Sequence, residues 1–173
     1  MKYKKLTKDF YLQGCLRVAR QLIGKVLVRK KGNRIYSGII VETEAYTGSS
    51  DEASHAYRGR TNRNRYMFEQ GGAAYVYFTY GNHYCVNVVT GKAGLAHAVL
   101  LRAVEPLEGI RFMKKNREAA KNLFNLTNGP GKLSQAFEID LKLNGADLTG
   151  DELFIASGDT GRKFKIKRSK RIG

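Results

Sequence analysis

An α+β fold on a mainly antiparallel sheet is what this sequence predicts, and three observations carry that reading. Short apolar runs follow one another through tight turns, whereas parallel pairing would need long crossovers between them. Helical spacing is confined to a few stretches near the start and in the middle of the chain. With 173 residues, 42% of them hydrophobic, the chain suits one domain that buries roughly 70% of the surface exposed when unfolded.

The first element is a helix, because Leu12, Leu16, Ala19, Leu22 and Ile23 recur at helical spacing and Gly24 suits its end. Lys25 to Arg29 and Ile35 to Ala45 read as strands around a turn at Lys31 to Asn33. Gly48 to Gln70 is polar, basic and irregular, a long surface loop of the length usually kept for function. Ala74 to Thr79 and Tyr84 to Val89 read as a hairpin joined through Tyr80, Gly81, Asn82 and His83, and Ala98 to Val104 as a more buried strand. Pro106 fits the first turn of a helix running through Ile110 and Met113. A second helical stretch covers Ala119 to Phe124 and a third starts at Lys132, beyond Gly129 to Gly131. Leu153 to Ala156 and Lys163 to Arg168 read as a final hairpin turned at Gly158 to Gly161.

Thirty-one Lys and Arg against fifteen Asp and Glu leave a formal charge of +16. Such a field favours nucleic acid or an anionic surface, for an enzyme or for a purely structural RNA-binding protein. Cys15 and Cys85 are seventy positions apart, which rules out the short thiolate spacing of a zinc site. They read as two buried thiols, with a disulfide as the other option. Met1 to Phe10 has no apolar core of a secretion signal, and no run approaches the ~18 apolar residues of a membrane span. The reading is a soluble, intracellular protein.

Chemistry concentrates in three places. Glu42, Glu44 and Tyr46 alternate with Val41, Thr43 and Ala45, and residues two apart in a strand share a face. Glu44 and Tyr46 would then project together, a carboxylate beside a flat ring. The alternation itself leaves open whether that face meets a pocket or plain solvent. Asp51, Glu52 and His55 follow, and with Glu42 and Glu44 they form a second candidate set, for magnesium or manganese in a phosphodiesterase. Asp51 and Glu52 also suit loop capping, and a lone His is more often structural.

The second place is the aromatic run Tyr75 to Tyr80. Tyr75 and Phe78 read as packing residues, but Tyr80 precedes a Gly-Asn turn and is hard to bury there. An exposed ring at a hairpin tip of a basic protein can wedge between bases or stack on one. Asn87 on the return strand can aim its amide into the same pocket. Arg102, inside an apolar run, needs a charged partner if buried, and Glu44 is a candidate. Third, Lys163, Lys165 and Lys167 alternate with Phe164 and Ile166, as in a phosphate-contacting strand or an edge strand guarded by lysines. Gly129 to Gly131 ahead of a helix could offer N–H groups to phosphate, without the spacing of a P-loop.

A series of short motifs occurs in order: Glu42 to Tyr46, Asp51-Glu52 and His55, Arg63-Asn64-Arg65, Met67-Phe68, Tyr75-Val76-Tyr77, Tyr80-Gly81, Asn87, Leu100 to Ala103, Glu105 to Gly109, then Gly129-Pro130 and Lys132-Leu133. From about Phe10 onward the chain resembles the alkyladenine (3-methyladenine) DNA glycosylase family. The resemblance implies a single domain with a curved sheet, flanking helices and a protruding β-hairpin. It also implies a monomeric base-excision repair enzyme acting on double-stranded DNA that carries a damaged purine, with no cofactor or metal. Glu44 would activate the water, helped by Arg102 and the backbone carbonyl of Ile172. Tyr46 and Tyr77 would sandwich the flipped base, His55 would bond its edge or nucleotide, and Asn87 would crowd out guanine. Tyr80 would fill the vacated place. Arg63, Arg65, Lys132, Lys165 and Lys167 are candidates for phosphate contacts. Family members usually continue past Arg171-Ile172-Gly173 with an aromatic stretch that often contains Trp, so this chain is expected to lack that closing segment.

Overall fold

The chain is α+β, and its described residues form a six-stranded, curved antiparallel sheet with four short helices. A computed structural model describes residues 3–158 and 165–171. The strands are β1 (Val26–Lys31), β2 (Arg34–Thr47), β3 (Ala74–Thr79), β4 (His83–Thr90), β5 (His97–Glu108) and β6 (Leu153–Ala156), in sheet order β3-β4-β5-β2-β1-β6. The helices are α1 (Lys8–Tyr11), α2 (Cys15–Leu22), α3 (Ile110–Asn116) and α4 (Pro130–Ala136).

One face of the sheet meets the helices in the main core, where Leu22 of α2, Met113 of α3 and Leu133 of α4 join Leu27, Ile40, Val76, Val88 and Leu101. The opposite face carries two smaller clusters. Val26, Val28, Ile39 and Phe154 fill one end, and Tyr75, Val89, Ala98, Ala56 and Met67 fill the other. Ala56 and Met67 come from the long segment after β2, which lies over the sheet instead of trailing in solvent. Asn64 pins it: its amide donates to the carbonyls of His55 and Gly59 at 2.8 and 2.9 Å and accepts from Thr61 N–H at 2.6 Å.

Several expected elements shift. The first helix divides into α1 and α2, and it buries Cys15, Val18, Ala19 and Leu22 while Leu16 is exposed. Pro106 lies inside β5, opposite Gly38 beside a register shift, and α3 begins only after Gly109, whose φ of 79° turns the chain. A bulge frees a proline from donating to the ladder, so β5 tolerates it. Around Ala119 to Phe124 there is a single 3₁₀ turn, Phe124–Leu126, and no α-helix. The third helix starts at Pro130, which needs no N–H there. β6 pairs with β1. Residues 165–171 are not a strand, and Lys163 and Phe164 lie outside the described residues. Cys15 and Cys85 are both buried and unbonded to each other.

Glu138, itself at φ 52°, ties the helical layer to the β1–β2 turn. Lys31, Arg34 at 2.7 Å and the Tyr36 hydroxyl all donate to its carboxylate. Burial would raise its pKa, but these partners hold it down at about 2 against an ordinary 4.5. The unfolded chain therefore binds the proton more readily, and this stabilisation is complete above about 4.5 and lost as pH falls towards about 2. Glu138→Gln is expected to cost about 1–3 kcal/mol at neutral pH in denaturant unfolding, and the variant should lose less stability than the parent between pH 5 and 3.

Candidate functional site

β2 and β5 form the longest pairing of the sheet, and two matched irregularities in it create the site. Ile40 pairs with Val104 and Glu42 with Ala103, so Val41 is an extra residue on β2; Glu42 with Ala103 and then Thr43 with Leu101 makes Arg102 an extra residue on β5. A bulge reverses the facing of everything beyond it. Ile40 points to the helices, and so does Thr43, whose hydroxyl donates to the Ala19 carbonyl at 2.9 Å. Glu42, Glu44 and Tyr46 are thereby turned to the opposite face. On β5 the same reversal separates Leu101 and Val104, both in the main core, from Arg102 between them.

The result is a cavity of about 290 Å³, close to the lower limit of ordinary ligand pockets (roughly 300–1,000 Å³). Glu44, Tyr46, His55, Tyr75, Tyr77, Asn87 and Arg102 line it, with Tyr80 and Pro130 at its rim. Glu44 is only 7% exposed. Its Oε2 accepts from the Tyr46 hydroxyl at 2.9 Å and from an Arg102 nitrogen at 3.4 Å, while Arg102 Nε donates to Glu42 Oε1 at 3.3 Å. Burial and then the Glu44 carboxylate push the Tyr46 hydroxyl up to about 12, so it stays a donor.

Across the cavity Tyr77 is half-buried, with the His55 ring edge-on to it at 4.4 Å between centroids. His55 Nδ1 shares a 2.9 Å hydrogen bond with the hydroxyl of buried Tyr75. Partial burial, and then the charge of Arg63, hold His55 below its ordinary value. Asn87 is buried, and its amide donates to the Tyr75 carbonyl at 3.0 Å, which fixes the side chain against the cavity wall. Tyr80 stands at the β3–β4 tip, 91% exposed and at φ 51°. A left-handed non-glycine residue costs on the order of 1–2 kcal/mol, and an exposed ring is unfavourable as well. Two costs at one residue mark a side chain kept for contact with something else.

The structure thus brings together Glu44, Tyr46, His55, Tyr77, Tyr80, Asn87 and Arg102. Of the other candidates, Arg63 borders this group and the rest lie apart. Exposed Arg63 donates to the Phe78 carbonyl at 2.9 Å and stands over the Tyr77 ring, and exposed Arg65 lies on Tyr66. Lys132 donates to Asn128 at 2.8 Å. Exposed Lys165 and Lys167 line a neighbouring groove between α2, β2 and the last described segment. Phe78, expected to be packed, is 42% exposed and leans on Tyr84. Ile172 lies outside the described residues. The alternative metal set does not assemble: Asp51 is committed to Arg171 and His55 to Tyr75. Among the described residues no three His, Cys, Asp or Glu side chains are grouped to hold a metal ion, nor is any helix long and apolar enough to cross a membrane.

Residues 9–173 match the family model described as methylpurine-DNA glycosylase. The chain belongs to that family. It is 51% identical over 171 residues to a protein of Chlorobium phaeobacteroides, covering 98% of this chain and 85% of that one. It is 50% identical over 169 residues to a protein of Carboxydothermus hydrogenoformans, covering 97% and 87%. Both relatives bear the name "Putative 3-methyladenine DNA glycosylase". One contact of this methylpurine-DNA glycosylase family member had no signal in the sequence: Arg171, 120 positions from Asp51, forks onto its carboxylate and covers the Tyr46 ring.

Arg102 brings a positive charge to 3.4 Å from the buried Glu44 carboxylate. Arg102→Met is expected to lower the unfolding free energy by about 1–3 kcal/mol. Adding Glu44→Gln to that variant should recover part of the loss in the same denaturant titration.

Proposed function

We propose that the chain is a monofunctional DNA glycosylase that takes a damaged purine, of the 3-methyladenine, hypoxanthine or ethenoadenine class, out of the duplex and hydrolyses its N-glycosidic bond. That it is a hydrolytic DNA glycosylase follows from its family; the lesions and the steps are our reading. The observation that carries it is the buried Glu44 carboxylate at one wall of a ring-lined cavity, held by Arg102 and Tyr46.

The +16 charge draws the protein to the DNA backbone. Tyr80 enters the duplex and occupies the place of the extruded nucleotide. Extrusion costs a few kcal/mol and least for weakly paired lesions; stacking on Tyr46 and Tyr77 returns about 1–3 kcal/mol per base. His55 donates or accepts at the base edge according to its tautomer, and the fixed Asn87 amide crowds the exocyclic amino group of guanine. As the glycosidic bond stretches, positive charge builds on the sugar, as in sugar hydrolysis generally. Glu44 faces that charge and takes the proton of the attacking water, whose oxygen becomes the new hydroxyl at C1′. Arg102 keeps the carboxylate oriented, and a carbonyl of Ile172 is a further contact assigned to that water. Arg63, Arg65, Lys132, Lys165 and Lys167 supply phosphate contacts, and the enzyme acts as a monomer without metal.

Base release from a hypoxanthine-containing duplex in EDTA, read as strand breaks after alkali, should be retained by the parent chain. Glu44→Gln should lower the single-turnover rate by about 10²- to 10⁴-fold while duplex binding persists. Loss of activity in EDTA, or a borohydride-trapped imine to DNA, would contradict the reading. Tyr80→Gly should lower base release, yet leave the thermal midpoint unchanged or raised, since glycine accepts the left-handed backbone that tyrosine does not.

A further inference from the structure

Asp51 and Arg171 form a contact that the reaction as described does not use. The Asp51 side chain is 8% exposed, and backbone N–H groups of Thr47 and Ala53 donate to it at 3.1 and 3.2 Å. Arg171 donates from its two terminal nitrogens to the two carboxylate oxygens, from Nη2 at 2.6 Å, and from Nη1 also to the Ala45 carbonyl at 2.8 Å. The guanidinium carbon then lies 4.6 Å from the centre of the Tyr46 ring. Arg171 lines the neighbouring groove and Tyr46 the ring-lined cavity, so the guanidinium meets the ring from outside the cavity lining.

We propose that Asp51 and Arg171 are a positioning pair: they fix the Tyr46 ring from behind, and through its hydroxyl they set the Glu44 carboxylate. The inference rests on the glycosylase reading, in which Tyr46 takes the base and Glu44 the water. Three geometric facts make the pair more than a surface ion bridge. Its acid is buried and pre-held by two N–H groups, its cation makes a planar, two-pronged contact that lysine cannot copy, and the Ala45 carbonyl it holds lies between the two functional residues. The chain of contacts runs Asp51, Arg171, Tyr46, Glu44, Arg102, Glu42, in which anion and cation alternate on either side of the phenol. A ring tilted by loss of its backing would carry its hydroxyl off Glu44 and present a skewed platform to the base. Misplacement of about 1 Å can cost on the order of 10²-fold in rate.

The test uses Arg171→Gln, Asp51→Asn, the double variant and Arg171→Lys in the full chain. Each single loss should slow single-turnover release of hypoxanthine by about 10- to 100-fold while duplex affinity moves far less. The double variant should be no slower than the slower single one, since both remove one contact, and Arg171→Lys should recover only part of the rate. In protein without DNA, the Tyr46 ring resonance, identified by its loss in Tyr46→Phe, should shift in Arg171→Gln and Asp51→Asn alike. A parental rate in Arg171→Gln, a loss confined to duplex affinity, or multiplied losses in the double variant would overturn the proposal. Should the parent release no base at all, the glycosylase reading fails, and the pair is judged by the ring resonance alone. An unmoved resonance then overturns it.

Discussion

Glu44 is a carboxylate held out of water, and a buried charge must be answered on every side or it neutralises itself. Much of the neighbourhood can be understood as that answer. Arg102 supplies the opposite charge, Tyr46 a hydroxyl kept protonated by the same burial, and Glu42 shares the guanidinium so that its charge is spread. On a regular ladder the same groups would share the face of Ile40 and Val104, packed against the helices. The extra residue at Val41 and the extra residue at Arg102 lie on adjacent strands, and together they rotate an acid and a base to the same side of the β2–β5 ladder. Either bulge alone would leave one partner facing the helices.

The curvature of the sheet, the roof and the hairpin follow from the same arrangement. Bulges bend a strand and increase its twist, which opens the face away from the helices into a hollow. The loop after β2 covers one end of that hollow with Ala56 and Met67, locked by Asn64, and places His55 edge-on to Tyr77. A pocket with a rigid roof keeps its polar groups in place before a ligand arrives, which is where electrostatic catalysis gains most. Tyr80 projects furthest into solvent, 91% exposed, on backbone a tyrosine adopts only under constraint.

Much of this was legible residue by residue. The strand pairs β1–β2 and β3–β4 were readable because each is local, joined by a short turn with glycine at the bend. The pairing of Arg102 with Glu44 was legible from burial chemistry, since an arginine in an apolar run needs an anion. Pro106 misled for a physical reason: helix starts and bulged strands both tolerate a residue without an N–H, and only the pairing of β5 with β2 distinguishes them. The stretch around Ala119 to Phe124 has helix-forming residues but packs few of them, and a short helix without a buried face is not stable. Arg171 could not be assigned at all, because its partner Asp51 is remote in the chain and neither has a local pattern around it.

By itself the sequence determined which groups are present and which are neighbours along a strand: an acid two residues before a ring, an aromatic at a hairpin tip, a strongly basic surface. Those follow from chain chemistry and from the period of a β-strand. Which face the acid occupies was decided only in three dimensions. Period-two alternation is reversed by one inserted residue, and the insertion is defined by the partner strand's register, a relation between segments about sixty residues apart that no local pattern contains.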